Sequence, residues 1–528
     1  MPPPPSHSLW SPLRLPVFRG LWAGSAIYFT GNAMQVMAAS WLMVELTGSS
    51  FLAALVQTAV FLPMFLLALP AGVLADTTDR RRLITRALAV QVGIVATLAV
   101  FAMLGWAGPG VLLLFTFAAG CCTAVLSPAW STGVVDSVPR EDMPQAITAM
   151  SIAWNGARAL GPAIAGFLFA ALGAGWVFAV AGVCAAVMMQ TVRLWPPAPH
   201  ATSPLPVERL WSGTVSGLRF ARHSPIILAQ LLRTVAYAGT GSALWALLPA
   251  IAAQQLHMGA AGFGFLMGCL GTGAVAAGLV LGKLRARLGL ERLVAAGCVV
   301  FAVVMLVAAF VDVRTVVFMA LAIGGGAWMA VMATFNTATQ SSAPPWVRSR
   351  AVALHTVCAL GSFAIGSALW GAISGVAGLP ATLAIAAFAM LGGTALARSF
   401  PLRMGDAHEV TPVALWEDLF VKDQPLPDDG PVSVEVGYRI REGHAEDFLH
   451  AVSQLRASRR RDGATLWRVY RDLGDRSRYV ERFIVASWAD YLHQRSRATL
   501  ADQALESHVR EFLQAGEAVT LQHYIAER

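Results

Sequence analysis

The chain alternates between long apolar stretches and short charged segments. Among the stretches that carry no Asp, Glu, Lys or Arg are Leu52–Ala75, Ala87–Val135, Ala159–Val192, Thr234–Gly282 and Ala351–Ala397. A helix that crosses a bilayer needs about 20 apolar residues. The first stretch fits one such helix, and each of the others is long enough for two. We therefore predict membrane hairpins in which glycine or proline interrupts the apolar stretch midway.

Charge distinguishes the two ends of these predicted helices. The breaks inside the apolar stretches are uncharged, whereas the segments between stretches are basic. Basic segments stay on the cytoplasmic side of a bilayer, so the uncharged turns are expected outside. The basic segments are DRRR at 79–82, VPRED at 138–142, KLRAR at 283–287 and PPWVRSR at 344–350. At about 20 residues per span, the pattern predicts twelve helices with both chain termini in the cytoplasm.

Composition divides the chain into five segments. A proline-rich, charged stretch separates two halves of six predicted helices, and a polar linker follows the second half. The last segment alternates between strand-like and helical patterns in the order βαββαβ, which is typical of a ferredoxin-like fold. The segments are 1–195 and 225–398 for the helical halves, 196–224 for the loop between them, 399–430 for the linker and 431–528 for the domain. The predicted fold class is an all-α polytopic membrane protein with a C-terminal α+β domain.

The overall composition agrees with a membrane protein. Of 528 residues, 56% are hydrophobic and 13% charged, whereas soluble domains are about 25% charged. A net charge of +8 often indicates nucleic-acid binding, but here cationic loops facing anionic lipid explain it better. We expect a lipid bilayer as a partner and no nucleic acid. The cysteines lack metal-ligand spacing, and a phosphate-binding loop is missing, so we expect neither a metal nor a cofactor.

A turn between the second and third predicted helices carries the most specific motif. Its sequence is GVLADTTDRRR, Gly72 to Arg82. A glycine, an aspartate four residues later and a cluster of arginines resemble the signature loop of the major facilitator superfamily of secondary transporters. The resemblance implies a gating loop in which Asp76 pairs with Arg80 or Arg81 in one conformational state. The alternative is a solvated turn whose arginines only set the topology.

The fifth predicted helix carries a second motif, NGARALGPAIAG. It resembles the glycine–proline motif of antiporters in the same superfamily, which implies efflux. Small residues also let membrane helices approach closely, so ordinary packing is the alternative. Arg158 stands inside this helix, where a charge is costly and usually faces a cavity or a partner. The residues of the motif are Asn155, Gly156, Arg158, Gly161, Pro162 and Gly166.

Polar residues inside other predicted helices are candidates for a substrate cavity. The first and tenth helices line the central cavity in this superfamily, and both carry amides. These amides either bind substrate or bridge helices, and Arg233 either faces the cavity or extends to the cytoplasmic surface. Glu45 is a weak candidate for proton coupling, because it lies near the outer helix end. The cavity candidates are Asn32, Gln35, Arg158, Arg233, Asn336 and Gln340.

Longer stretches resemble one branch of the superfamily, which includes the bacterial enterobactin exporter and transmembrane secretion effectors. They are FRGLWAGSAIYFTGNAMQVMAASWLMVELTGSS at 18–50 and FNTATQSSAPPWVRSRAVAL at 335–354. The resemblance implies a bacterial inner-membrane exporter of a small organic molecule, a siderophore or a hydrophobic drug-like compound. It also implies alternating access and proton coupling.

The C-terminal segment has a resemblance of its own. RRRDGATLWRVYRD at 459–472 and YVERFIVASWADYLHQ at 479–494 resemble the dimeric α+β barrel module related to antibiotic-biosynthesis monooxygenases. This resemblance implies a homodimer contact through 431–528. We expect a transporter and not an enzyme, and the alternative is a membrane-anchored sensor or cofactor-independent oxygenase whose activity lies in that domain.

Overall fold

The computed structural model describes residues 11–139, 142–195, 210–413 and 425–527. They belong to two compact units. The helical unit comprises residues up to 204 together with 233–334 and 356–399. The second unit comprises 205–232, 335–355 and everything from residue 400 onward.

Long helices account for most of the described chain before the linker. Nine of the described helices are long and apolar enough to cross a membrane. In chain order, the helices before the central loop are α1 (Pro16–Thr47), α2 (Ser50–Thr77), α3 (Arg80–Met103), α4 (Pro109–Asp136), α5 (Met143–Leu172) and α6 (Ala174–Arg193). The next six are α7 (Leu210–His223), α8 (Pro225–Ala250), α9 (Ala260–Phe310), α10 (Arg314–Ser342), α11 (Arg348–Ala377) and α12 (Leu379–Gly393). Two short helices follow, α13 (Leu396–Ser399) and α14 (Ala407–Val410).

Helix α9 joins two predicted spans. It is 51 residues long, and its one non-helical residue is Gly289, with φ of 73°. Glycine adopts this left-handed conformation without a steric penalty, so it allows a bend where other residues would be strained. The two arms of α9, before and after Gly289, account for two of the twelve predicted helices. With α8 and α10–α12 they give six segments after the central loop, matching α1–α6 before it.

The C-terminal domain has the predicted βαββαβ order, with its second helix in two pieces. Its elements are β1 (Val432–Arg439), α15 (Ala445–Asp462), β2 (Leu466–Arg471), β3 (Arg478–Val485), α16 (Trp488–Arg497), α17 (Leu500–Arg510) and β4 (Thr520–Ile525). The strands form one antiparallel sheet in the order β2-β3-β1-β4, with Val434 opposite Phe483 and His523. Alternate residues of β1 and β3 are buried under the helices. The predicted fold class is therefore confirmed.

A charged cluster lies inside the C-terminal domain. Arg459 contacts Glu481 at 3.1 Å and Glu506 at 2.8 Å, and all three side chains are under 10% exposed. Tyr438 donates a hydrogen bond to Glu481 at 2.8 Å, and so does Trp467. Burial and the neighbouring Glu481 raise the pKa of Tyr438 well above its ordinary value. Every group in this cluster therefore has a partner of the opposite charge or a hydrogen bond.

The second unit ties this domain to the ends of the adjoining helices. Arg219 of α7 donates to the carbonyl oxygen of Gly463 at 2.9 Å. The guanidinium of Arg497 lies 4.5 Å from the ring centre of Trp346, in the turn before α11. In the linker, the Gly405 amide donates to Ser342 Oγ at the end of α10, at 2.9 Å. These contacts hold the domain against three segments that lead into membrane helices.

Candidate functional site: the central cavity

A cavity of about 480 Å³ lies within the helical unit. Helices α1, α2, α4 and α5 of the first half line one side of it, and α8 to α11 of the second half line the other. Both six-helix halves therefore contribute walls to a single space.

The two walls of the cavity differ in polarity. The first half contributes all the lining amides and hydroxyls among the described residues, and they belong to Asn32, Gln35, Gln57, Asn155, Thr116 and Thr123. The second half contributes aliphatic and methionine side chains with Trp245, Trp328 and Phe363. Gln35 and Gln57 are almost fully buried, at 4% and 5% exposed. A ligand in this cavity therefore meets apolar surface from both halves, whereas the hydrogen-bonding side chains of the described lining come from the first half.

Arg158 is the one charged residue in the described lining. It projects from α5, and its guanidinium lies 5.4 Å from the centre of the Trp245 ring on α8. An arginine over an indole face gains about 0.5–2 kcal/mol from the negative potential of the ring. The contact crosses the cavity from the polar wall to the apolar wall.

Aromatic rings form a continuous surface on the second-half wall. Trp328 lies 5.9 Å from Trp245 and 5.9 Å from Phe363, both edge to face. Phe363 continues to Phe61 of α2, at 4.8 Å between ring centres. These separations are typical of favourable aromatic pairs, so the rings hold one another in place.

Helices α5 and α9 approach each other closely through small residues. A methyl group on Gly166 would lie 2.7 Å from the Ala260 carbonyl oxygen and 3.0 Å from the Gly264 Cα. One on Gly264 would overlap the Pro162 carbonyl, and one on Gly271 would overlap the Ala159 backbone. We call these residues of α5 and α9 the glycine seam. Backbone contacts backbone along it, as in close-packed membrane helices.

The other residues of the fifth-helix motif have different surroundings. Gly161 packs against α1, where an added methyl group would lie 3.0 Å from the Thr30 carbonyl oxygen. A methyl group on Gly156 would extend into open space, with no described neighbour within 4 Å. Asn155 lines the cavity and donates a hydrogen bond to the Ser151 carbonyl at 2.8 Å.

The predicted gating loop forms the junction of α2 and α3. Asp79 caps α3, since its carboxylate accepts from the Arg82 amide at 2.8 Å. Arg81 donates to the Arg193 carbonyl at the end of α6. Arg80 is the first residue of α3, and Gly72 has open space around it. The Asp76 side chain lies outside the described residues.

Four other predicted residues do not line the cavity. Arg233 forms an ion pair with Glu291 of α9 and is 4% exposed. Asn336 accepts a hydrogen bond from Gln340 at 2.7 Å, one helical turn away. Glu45 is exposed and accepts from Trp41 Nε1 at 2.7 Å. The sequence could not separate these positions from the lining ones, because helix rotation decides which side each residue faces.

The two halves also meet at the ends that carry uncharged turns. Ser50 of α2 and Ser374 of α11 share a hydrogen bond of 2.7 Å. Gln254, after α8, donates to the Gly48 carbonyl after α1, also at 2.7 Å. A methyl group on Gly371 would lie 3.3 Å from the Phe51 carbonyl oxygen. These contacts therefore join the two six-helix halves at the helix ends that carry the uncharged turns.

A family profile described as transmembrane secretion effector matches residues 7–528. The chain belongs to this family of the major facilitator superfamily. Relatives support the assignment. The chain is 26% identical over 397 residues to the "Multidrug efflux pump Tap" of Mycolicibacterium fortuitum, covering 72% of this chain and 93% of the relative. It is 27% identical over 278 residues to the "Enterobactin exporter EntS" of Shigella boydii, covering 51% and 64%.

Solved structures show the same fold at low sequence identity. The nucleoside transporter NupG superposes with a TM-score of 0.59 at 11% identity, covering 73% of this chain and 100% of that one. A bacterial homologue of the iron transporter ferroportin, in an inward-facing state, gives 0.60 at 15% identity, covering 74% and 99%. These structures show the fold of a multi-pass membrane protein, and the family and the sequence relatives identify the chain as an efflux transporter. Relatives and neighbours are transporters and not enzymes, as predicted.

Proposed function

We propose that the chain exports amphipathic small organic molecules, siderophores or hydrophobic drug-like compounds, across the bacterial inner membrane by proton-coupled alternating access. The observation that carries this proposal is the two-sided cavity. Among the described lining residues, amides, hydroxyls and Arg158 belong to the first-half wall alone, together with some rings and Met64, whereas the second-half wall is apolar throughout. Pockets for small molecules combine an apolar lining with a few polar groups in the same way. The names of the two relatives, a multidrug efflux pump and an enterobactin exporter, support the two substrate classes.

Alternating access needs contacts between the halves that form in one state and break in another. The hydrogen bonds of Ser50 with Ser374 and of Gln254 with Gly48 are of this kind. The basic helix ends at 79–82 and 283–287 favour a cytoplasmic position, which would place these hydrogen bonds outside. We infer that the described conformation is closed to the outside, with both termini in the cytoplasm. The remaining lipid-facing surface would contact the bilayer.

The gating loop is proposed to work at the opposite ends of the helices. Gly72, Asp76, Arg80 and Arg81 would close the cytoplasmic side when the outside opens. Replacing Asp76 by Asn removes the charge that this closure needs. Asp79→Asn is the matched control, because it removes a neighbouring charge while Asn still caps α3 effectively. We expect Asp76→Asn to lose most export and Asp79→Asn to retain it.

Transport is tested with purified protein in liposomes and with intact cells. A panel of siderophores and hydrophobic dyes is loaded, and efflux is followed with and without a proton uncoupler. Export that stops with the uncoupler supports proton coupling. Export that continues with the uncoupler would contradict it. Failure of the intact chain to move any compound in the panel, in protein shown to be folded, would count against the export proposal.

The coupling carboxylate has two candidates. Glu45 was predicted from the sequence, and it accepts a hydrogen bond from Trp41 but forms no ion pair with a described residue. Glu291 forms an ion pair with buried Arg233, a geometry in which proton binding would break the pair. We propose Glu291 as the stronger candidate. Glu291→Gln should abolish uncoupler-sensitive export, and Glu45→Gln should leave it unchanged.

The C-terminal domain is proposed to mediate a homodimer. One face of its sheet is covered by helices, and the other carries exposed residues including Tyr470 and Tyr524, at 48% and 50%. This open face is available for a second copy. Light scattering of the full chain in detergent should give the mass of a dimer, and Tyr470→Glu should shift it to a monomer. A monomeric mass for the unmodified chain would contradict the proposal.

A further inference from the structure

The charge of the central cavity is not balanced by the described lining. Arg158 contributes a positive charge, and Asp and Glu are missing from the residues that line the cavity in the described part of the chain. Arg233, another arginine of the helical unit, is paired with Glu291. A charge inside a membrane protein is costly unless a cavity or a partner compensates it. Arg158 has the cavity itself and the aromatic face of Trp245 for this purpose, but the described lining offers it no counter-charge.

We propose that the substrate supplies the missing negative charge and that Arg158 selects aromatic or other planar organic anions. The inference rests on the proposed function, because it assigns a substrate class to the same cavity. A carboxylate, sulfonate or phenolate would bind the guanidinium, whose fork of N–H groups matches two acceptor oxygens. The apolar body of the same molecule would lie against Trp245, Trp328 and Phe363.

The surroundings of Arg158 fit this orientation. Asn155 lies one turn before it on the same helix, and Asn32 of α1 lines the same wall. Their amides can donate to further oxygens of an acid group. The aromatic wall lies across the cavity, at the other side of the Arg158–Trp245 contact. A molecule with an acid at one end and a ring at the other therefore matches both walls at once.

The same electrostatics disfavour organic cations. A bound cation would share a cavity of about 480 Å³ with Arg158. Like charges repel strongly where the effective dielectric constant is low. The described lining has no carboxylate to offset this repulsion. We therefore expect affinity to fall from anion to neutral analogue to cation when the ring system is held constant.

Three dansyl probes with one ring system separate these cases. Dansylglycine carries a carboxylate, dansylglycinamide is neutral, and dansyl-ethylenediamine is a cation at pH 7. Binding to the full-length purified protein is measured by fluorescence anisotropy. We expect the carboxylate to bind about tenfold more tightly than the amide, a difference of about 1.4 kcal/mol, and the cation to bind most weakly.

Variants of the full chain assign this preference to Arg158. Arg158→Gln should reduce the anion-to-amide ratio to about one, and Arg158→Lys should restore part of it because the charge returns. Met332→Leu, a neutral change of another residue that lines the cavity, should alter the affinities for the three probes by similar factors. A ratio near one in the unmodified protein, a ratio unchanged by Arg158→Gln, or binding of none of the probes would overturn the inference.

Export is measured separately in liposomes with the same probes. If dansylglycine binds through Arg158 but is not exported, the substrate-class inference stands and the export proposal fails for this compound. If the amide and the cation are exported as well as the acid, the export proposal stands and the inference is overturned.

Discussion

Two arginines in different parts of the molecule have opposite surroundings. Arg158 lines the cavity with an indole face beside it and no carboxylate in the described lining. Arg459, inside the C-terminal domain, contacts two glutamates and lies 5.3 Å from the Phe483 ring centre. Both contact an aromatic ring, so the ring does not distinguish them. The difference is the counter-charge, which one arginine finds within the protein and the other does not.

This difference indicates that the charge of Arg459 stabilises the fold, whereas the charge of Arg158 is available to bind a ligand. A buried ion pair holds its neighbours only while both partners remain, and removal of one partner leaves an uncompensated charge. An arginine that lacks such a partner costs energy in the empty protein and recovers it when an anion binds. Arg459 should therefore matter for folding, and Arg158 for recognition.

The largest effect is expected from Arg459→Leu. It leaves Glu481 and Glu506 buried without their cation, which should lower the stability of the C-terminal domain by about 3–5 kcal/mol. Limited proteolysis and thermal unfolding of the full chain measure the loss. Arg456→Leu on the exposed side of the same helix is the control and should cost little. An equal loss from both variants would remove the contrast between paired and unpaired charges.

Arg158→Leu should have the opposite profile. Removing this arginine should leave the thermal midpoint of the chain unchanged or raise it, because no ion pair with a described lining residue is lost. Dansylglycine binding should nevertheless fall about tenfold. A clear drop in the midpoint would show that Arg158 has a structural partner.

Arg497 provides an intermediate case. It is 4% exposed, stacks on Trp346 and donates to the Asp462 carbonyl oxygen at 3.0 Å. Burial lowers the pKa of Arg497 to about 10. Trp346→Leu should weaken the attachment of the domain by about 0.5–2 kcal/mol, and Trp346→Phe by less. Faster protease cleavage of the linker in the Leu variant measures the effect, and equal rates in both variants would argue against stacking.

The smallest effect concerns His493 on α16. Burial and the nearby Arg497 lower the pKa of this imidazole, with Asp490 acting in the opposite direction and Arg350 in the same one. The unfolded chain then binds a proton at His493 more readily than the folded chain does. The folded state therefore keeps its full stability above about pH 6.5 and loses stability as the pH falls below it. The difference in unfolding temperature between His493→Gln and the unmodified chain should therefore favour the variant more at pH 5.5 than at pH 7.5. A pH-independent difference would contradict this.

Much of the architecture could be predicted from the sequence, because charge-free stretches and basic ends follow directly from bilayer physics. Gly289 shows where this reasoning stops. Two predicted spans run together as the single helix α9 at this glycine, and the sequence pattern does not specify its backbone conformation. Site prediction was less complete. Asn32, Gln35 and Arg158 line the cavity, whereas Arg233 pairs with Glu291.

The position of the tryptophans on the second-half wall of the cavity could not be predicted from the sequence. Trp245 and Trp328 lie in apolar helices in which a tryptophan has many possible neighbours. Gln57 was detectable, as an amide inside a stretch without charges. Asp79 was also detectable as a cap, because aspartate directly before a helix is a common N-terminal residue. The gating role of Asp76 remains a prediction.

The glycine seam has a consequence for how this transporter can evolve. Ala159, next to Arg158 in the chain, packs against Gly271, where even one added methyl group would force the helices apart. Arg158 itself projects into open space. Adjacent residues of one helix thus have different physical constraints, one on the volume of its side chain and the other on its charge. New substrate preferences can arise by changing residue 158 while the contact between the halves is inherited intact.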